Sequence, residues 1–314
     1  MTKVVPLEQI LKALPDIDVV AEIERGFVAF SEGRVEVPPV GELLFPDDNG
    51  ELHIKYGAVR GDDVFVVKLA TGFFNNPQLG LPPFSGCMLV LSAKTGQVIC
   101  VLLEQGELTN HRTAAAGAVA ARYLAPPDLQ TIGICGSGVQ ARLQADYLRR
   151  VTECRNLVLW GRDDARAAEA VRDIERMGYT ARAVASPADV AANAQLIVTT
   201  TAAHEPYLLA SFVKPGTHIT AMGSDTPEKS EIDPMILRDA TMVVADSIEQ
   251  CLLRGEIHAA IDAGVIDRNR IVELGHVISG KAGRRSRDDI TVADLTGVAV
   301  QDIMIAKAVV ARTI

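Results

Sequence analysis

No apolar run in the chain approaches the ~20 residues that a bilayer-spanning helix needs, so an integral membrane protein is not expected. Cysteine is scarce and unpaired by spacing: Cys87, Cys100, Cys135, Cys154 and Cys251 form an odd set with no C-x-x-C pair. That argues against a disulfide framework or a zinc cluster and suits the reducing cytoplasm. The six histidines show no metal-ligand spacing either, so no metal site is expected. Positive charge is also short, with 31 Lys and Arg against 40 Asp and Glu and a net charge of −9. Nucleic acid or an anionic membrane surface therefore fits poorly as the main partner. The first residues, Met1 to Gln9, lack the apolar stretch and small-residue cleavage site of a secretory leader. At 314 residues the chain suffices for about two domains with a sizeable core.

What is present falls into two regimes. Residues 16–31 place apolar side chains at helical spacing before Pro38 and Pro39 interrupt. Between about residues 51 and 104, strand-like runs at 53–56, 64–69, 87–91 and 98–103 are separated by turn residues at 61–63 and 95–97. With no helix between them, these strands should pair largely antiparallel. An Ala-rich helix is expected over 109–124, stopped by Pro126 and Pro127. From Thr131 the pattern changes: strand-like runs at 131–135, 156–160, 180–184, 195–200, 217–222 and 241–245 alternate with helical stretches. That alternation predicts βαβ units and a parallel sheet. Ser186 and Asp189 frame a capping box with Pro187 at the first helical position. After the turn at 294–297, a helical run over 298–311 either closes the parallel domain or returns to the first one; periodicity does not decide between them.

The run 131–135 ends in Gly136, Ser137, Gly138, Val139, Gln140 and Ala141, a G-x-G-x-x-A sequence leading into helix-compatible residues. Strand, tight turn and helix form the context in which this motif binds a dinucleotide. Gly136 permits the turn, Gly138 lets backbone approach a pyrophosphate, and Ala141 lets the helix lie on the strand. The N–H groups opening the helix then face the phosphates. Cys135 reads as buried filler in the strand. After the second strand, Gly161 stands where an acid would take the NAD ribose, and Arg162 suits the 2′-phosphate of NADP. Asp163 and Asp164 keep NAD open, or simply begin the next helix. The expected cofactor is NAD(P), with Arg162 leaning it toward NADP. Thr200, closing the run 195–200, joins Gly136, Ser137, Gly138, Val139, Gln140, Gly161 and Arg162 in the cofactor-binding set.

Three further residues carry chemistry. Arg112 stands near the start of the 109–124 helix, after Thr109 and Asn110, which are good N-cap residues. A guanidinium beside the unpaired N–H groups of a helix start makes a carboxylate-sized anion site. Lys68 follows an apolar strand and is either a water-facing edge residue or a buried amine that meets an anion. Asp225 follows a strand of the parallel sheet, where ligands bind at carboxyl ends. It is placed either to exchange a proton with substrate or to cap the turn before Pro227. His204, His258 and His276 lie near element ends and read as structural.

At these residues the chain resembles the ornithine cyclodeaminase/mu-crystallin family over nearly its full length. The matching stretches are 67–71, 108–116, 136–141, 223–227, 273–275 and 294–297. The resemblance implies an α/β protein: a Rossmann-type parallel-sheet NAD(P) domain, residues 126–294, inserted into an α+β domain, residues 1–125 plus 295–314. That second domain would bind substrate and dimerise. It also implies that Lys68 and Arg112 hold a substrate carboxylate and that Asp225 is the acid/base, with Asp225 and Lys68 as the catalytic pair. Many members carry an arginine in a Pro-x-Arg element, where this chain reads Val37, Pro38, Pro39, Val40; the carboxylate clamp is then incomplete, or another cation such as Lys55 completes it. The implied activity is NAD(P)-dependent reduction of a small α-imino or α-keto acid to the amino acid. The alternatives are an ornithine-type deaminating cyclase or a mu-crystallin-like binding protein. The expected partners are a small carboxylate-bearing imine, keto acid or amino acid and a second copy of the chain.

Overall fold

The computed structural model describes residues 2–314. The chain forms two compact units, Met1–Arg112 with Val298–Ile314, and Thr113–Gly297. In the first unit β1 (Lys3–Val5) leads into α1 (Leu7–Ala13) and α2 (Val19–Ser31). Then come β2 (Val35–Glu36), β3 (Gly41–Phe45), β4 (Gly50–Val59), β5 (Val64–Phe73), β6 (Phe84–Ser92) and β7 (Val98–Leu102). The sheet order is β1-β7-β6-β5-β4-β2, with β3 also on β4. Every pairing is antiparallel except β1 with β7. Consecutive strands joined by short turns can pair in no other sense, as the sequence pattern requires.

Helix α3 (Glu107–Leu124) contains the boundary between the units, which falls at Arg112 and Thr113 instead of at the prolines after residue 125. Its later turns belong with second-unit side chains. A Cβ on Gly117 would come 2.3 Å from Gln144 Oε1, and the Leu124 carbonyl accepts from Arg284 Nε at 3.1 Å. The helix also starts earlier than Thr109. The buried carboxylate of Glu104 accepts from Thr109 N at 3.2 Å and so serves the opening turn.

The second unit alternates β8 (Ile132–Cys135), α4 (Val139–Leu148), β9 (Asn156–Trp160), α5 (Asp164–Arg176), β10 (Thr180–Ala183), α6 (Pro187–Asn193), β11 (Leu196–Thr199) and β12 (His218–Ala221). It continues through α7 (Pro234–Asp239), β13 (Met242–Ala245), α8 (Ile248–Cys251), α9 (Gly255–Asp262), β14 (Ile271–Glu273), α10 (Leu274–Ile278) and β15 (Thr291–Asp294). All eight strands are parallel, in the order β10-β9-β8-β11-β12-β15-β13-β14. The central strands β8, β11, β12 and β15 are buried throughout, as in a parallel sheet covered on both faces. Ser186 caps α6, accepting from Asp189 N at 3.1 Å. The order reverses between β8 and β11, the switch point at which such sheets bind ligands.

The last helix, α11 (Ala299–Thr313), returns to the first unit and packs on α1, α2, β4 and β5. A Cβ on Gly26 of α2 would come 2.8 Å from Met304 Cγ, so a glycine lets the two helices close up. All five cysteines are free thiols, and Cys135 is fully buried, with burial raising its pKa. No helix among the described residues is long and apolar enough to cross a membrane.

Candidate functional site

In the second unit the glycine turn sits at the switch point. Gly136 N donates to the Trp160 carbonyl at 2.7 Å, and Thr200 N to the Cys135 carbonyl at 2.8 Å. Gly136 has φ +131°, and a Cβ there would come 2.2 Å from Thr200 Oγ1. Only glycine makes this turn. At Gly138 a Cβ would meet nothing within 4 Å, and α4 starts there with no side-chain cap. That combination, open space over uncapped helix N–H groups, fits a pyrophosphate. Arg142 holds the turn from behind, donating from its Nη1 to the Ser137 and Gly138 carbonyls at 2.7 and 3.2 Å and from its Nε to Asp173 at 2.6 Å. Ser137 also faces Gly161, whose Cβ would come 2.9 Å from Ser137 Oγ. Val139 is exposed and Gln140 accepts from Gln144 Nε2 at 3.4 Å. Arg162 is exposed, whereas the Asp163 carboxylate caps α5 by accepting from Arg166 N at 3.0 Å.

Asp225 lies beyond β12, half exposed, with Oδ1 2.7 Å from Lys229 Nζ. Two buried carboxylates that the sequence did not single out fasten the segment before it. Glu231 accepts from Thr199 Oγ1 (2.6 Å), Thr201 N (2.6 Å), Thr201 Oγ1 (2.8 Å), Tyr207 Oη (2.8 Å) and Gly223 N (2.8 Å). It thereby joins the ends of β11 and β12. Glu256 accepts from Ser224 Oγ (2.5 Å), Glu231 N (2.7 Å) and Ser230 Oγ (3.0 Å). Asp294, at the end of β15, accepts from Ile257 N at 2.8 Å. Burial raises the pKa of all three acids, with the Glu231 charge helping to lift Glu256 to about 7.

The first unit gathers cations. Lys55 and Lys68 are cross-strand partners on β4 and β5, both buried. Asp302 of α11 accepts on one oxygen, Oδ1, from Lys68 Nζ at 3.0 Å and Arg112 Nε at 3.1 Å. Gln301 Oε1 accepts from Arg112 Nη1 at 3.0 Å. Arg112 is thus one turn inside α3 and tied to α11, not beside the helix start. Burial opposes the charge on Asp302, but Lys68, Arg112 and Lys55 outweigh it and hold the carboxyl below its ordinary value. At Lys68 burial dominates and lowers the pKa, with Asp302 opposing it. Asp302 was legible in one respect: it shares an i, i+3, i+7 stripe of α11 with Ile305 and Val309.

Replacing Gly138 by valine leaves the fold intact, because the added atoms enter open space and φ is −85°. NADH titration by fluorescence should show affinity lost at least ~100-fold, about the worth of 2.7 kcal/mol; unchanged affinity refutes the cradle. Glu256 gives a pH signature. Its carboxyl titrates near 4.5 when unfolded and near 7 when folded, so between those values the folded state holds the extra proton. Stability therefore falls as pH rises through that window, by up to ~1.4 kcal/mol per pH unit for this group. Urea unfolding at pH 5 and pH 7 should show a smaller difference for Glu256→Gln than for the parent chain.

A family model described as the ornithine cyclodeaminase/mu-crystallin family matches residues 3–314. A Rhizobium meliloti protein bearing a dehydrogenase name is 44% identical over 300 residues, 95% of this chain and 91% of its own. An archaeal alanine dehydrogenase dimer with bound NAD superposes with a TM-score of 0.91 at 31% identity, over 99% of this chain and 95% of that one. The Thermococcus litoralis Δ1-pyrroline-2-carboxylate reductase, in complex with NADH and L-proline, also gives 0.91, at 25% identity, covering 99% and 97%. The chain belongs to the ornithine cyclodeaminase/mu-crystallin family.

Proposed function

We propose that the protein is an NAD(P)-dependent oxidoreductase of the C–N bond, reducing a small α-imino acid, formed from an α-keto acid or a cyclic imine, to the amino acid. The observation that carries this reading is the buried cluster in which Lys68 and Arg112 converge on Asp302, with Lys55 across the strand pair from Lys68, in a chain that also carries an open glycine turn. Ammonium and guanidinium groups held in fixed positions suit a carboxylate, and a substrate carboxylate is the ligand they would take. The family structures with NAD or NADH, one of them with L-proline, support the same assignment.

Gly136, Ser137, Gly138, Val139, Gln140, Gly161, Arg162 and Thr200 hold the dinucleotide, which supplies hydride when bound. Lys68 and Arg112, with Lys55, grip the substrate carboxylate and fix the imine carbon in one orientation. Asp225 exchanges the proton at the substrate nitrogen, and Lys229 Nζ lies 2.7 Å from its Oδ1. Asp163 is committed to capping α5 while Arg162 is exposed, which supports NADPH over NADH. Exposed Leu43, Leu44, Leu79, Leu81 and Phe84 on the first unit support a homodimer.

The test is absorbance at 340 nm with NADH and NADPH against pyruvate plus ammonia, small cyclic imino acids and, in the oxidative direction, ornithine. Turnover of an imino or keto acid is expected. Dinucleotide binding with no turnover of any of them would make the protein a binder, and ornithine turnover alone would make it a cyclase. Asp225→Asn should lower kcat ~100-fold or more with little change in dinucleotide affinity. Arg162→Ala should erase any preference for NADPH. Light scattering at micromolar protein should give twice the chain mass, and a monomer would rule the dimer out.

A further inference from the structure

We infer that Asp302 is a positioning residue of the carboxylate clamp: its buried charge keeps Lys68 protonated and fixes Arg112 before any substrate arrives. The inference rests on the substrate reading above. Its ground is geometric. Asp302 and Lys68 are 1% exposed and Arg112 6%, so water screens none of them. A single oxygen, Asp302 Oδ1, receives both cations, and neighbouring Gln301 takes a second edge of the guanidinium. The other oxygen, Oδ2, is buried and has no hydrogen-bond partner, so no further donor dilutes the pull on Lys68 and Arg112. Asp302 is the fourth residue of α11, where the helix dipole also favours a negative charge.

The groups facing Lys68 come from four elements: Lys55 on β4, Arg112 on α3, Asp302 on α11 and Glu104 between β7 and α3. Burial and Arg112 favour the neutral amine; Asp302 opposes them at contact distance. Glu104 is a weaker counterweight, because its own burial favours the neutral acid. Arginine cannot shed its proton in a protein, whereas a buried lysine does so readily. Asp302 therefore decides whether Lys68 adds its charge to the clamp.

The test is Asp302→Asn, which keeps the shape and removes the charge. KM for the best α-imino or α-keto acid of the 340 nm screen should rise ~10-fold or more at pH 8 and distinctly less at pH 6, with kcat changing less than KM. Lys68→Met should raise KM without that pH dependence, and adding Asp302→Asn to it should cost less than Asp302→Asn costs in the parent chain, the remainder reporting the loosened Arg112. A KM rise equal at both pH values, or full additivity of the two substitutions, overturns the proposal. If Asp302→Asn does not fold, the parent chain still decides. The 13Cε signal of Lys68, assigned by its loss in Lys68→Met, should stay that of an ammonium through pH 8 without substrate. Titration below pH 8 overturns the inference. This readout needs no substrate, so it separates failure here from failure of the functional reading.

Discussion

One carboxylate oxygen ties together chain segments 190 and 234 residues apart: Asp302 Oδ1 meets Arg112 from α3 and Lys68 from the middle of a five-strand antiparallel run. Taking Asp302 away leaves buried cations without their shared acceptor, a loss that typically costs 3–5 kcal/mol. Replacing the whole set by well-packed apolar side chains is often neutral or better for stability. The ion cluster is thus a poor device for holding a sheet to a helix, and Ile303, Ile305, Ala306 and Val309 of α11 already do that by burial. What the charged set provides is a fixed array of donors on a sheet face otherwise built from Val66, Met88 and Val90.

The second unit uses the opposite sign for a different end. Glu231, Glu256, Asp246 and Asp294 are all buried there. Glu231 and Glu256 accept from backbone N–H groups and from hydroxyls of Thr, Ser and Tyr. Such bonds are directional, so each acid pins a loop instead of attracting a ligand. Asp246, for example, accepts from Gly297 N at 2.7 Å and fixes the point at which the chain leaves the unit. Charge is concentrated inside both units, as a cation cluster on one acid in the first and as loop fastening in the second.

Much of this was legible in the sequence because it is local. Six parallel strands announced themselves by short apolar runs, and Ser186 by its cap spacing. The dinucleotide turn followed from Gly136 and Gly138 together with the strand before and the helix after them. The helix start at Glu107 was hidden because Glu104, not Thr109 or Asn110, supplies the acceptor, from outside the helix. The strand β15 was not marked as one, since Thr291–Asp294 is short and only its neighbours β12 and β13 make it a strand. Glu231 and Glu256 carried no signal at all. Their partners lie 8 to 32 residues away, and nothing in either local pattern separates them from ordinary surface acids.

The return of α11 has a consequence for synthesis. Residues 1–112 leave the ribosome long before Val298–Ile314, so the nascent first unit holds Lys55, Lys68 and Arg112 with neither Asp302 nor the helix that covers them. The parallel sheet likewise lacks β15, which must slide between β12 and β13 after both have been made. Neither unit can complete its interior vectorially. Both wait on segments made after residue 290, so native packing of the two is expected to arrive nearly together. Until then the growing polypeptide presents uncovered apolar strands and uncancelled positive charge, the kind of intermediate that chaperones retain.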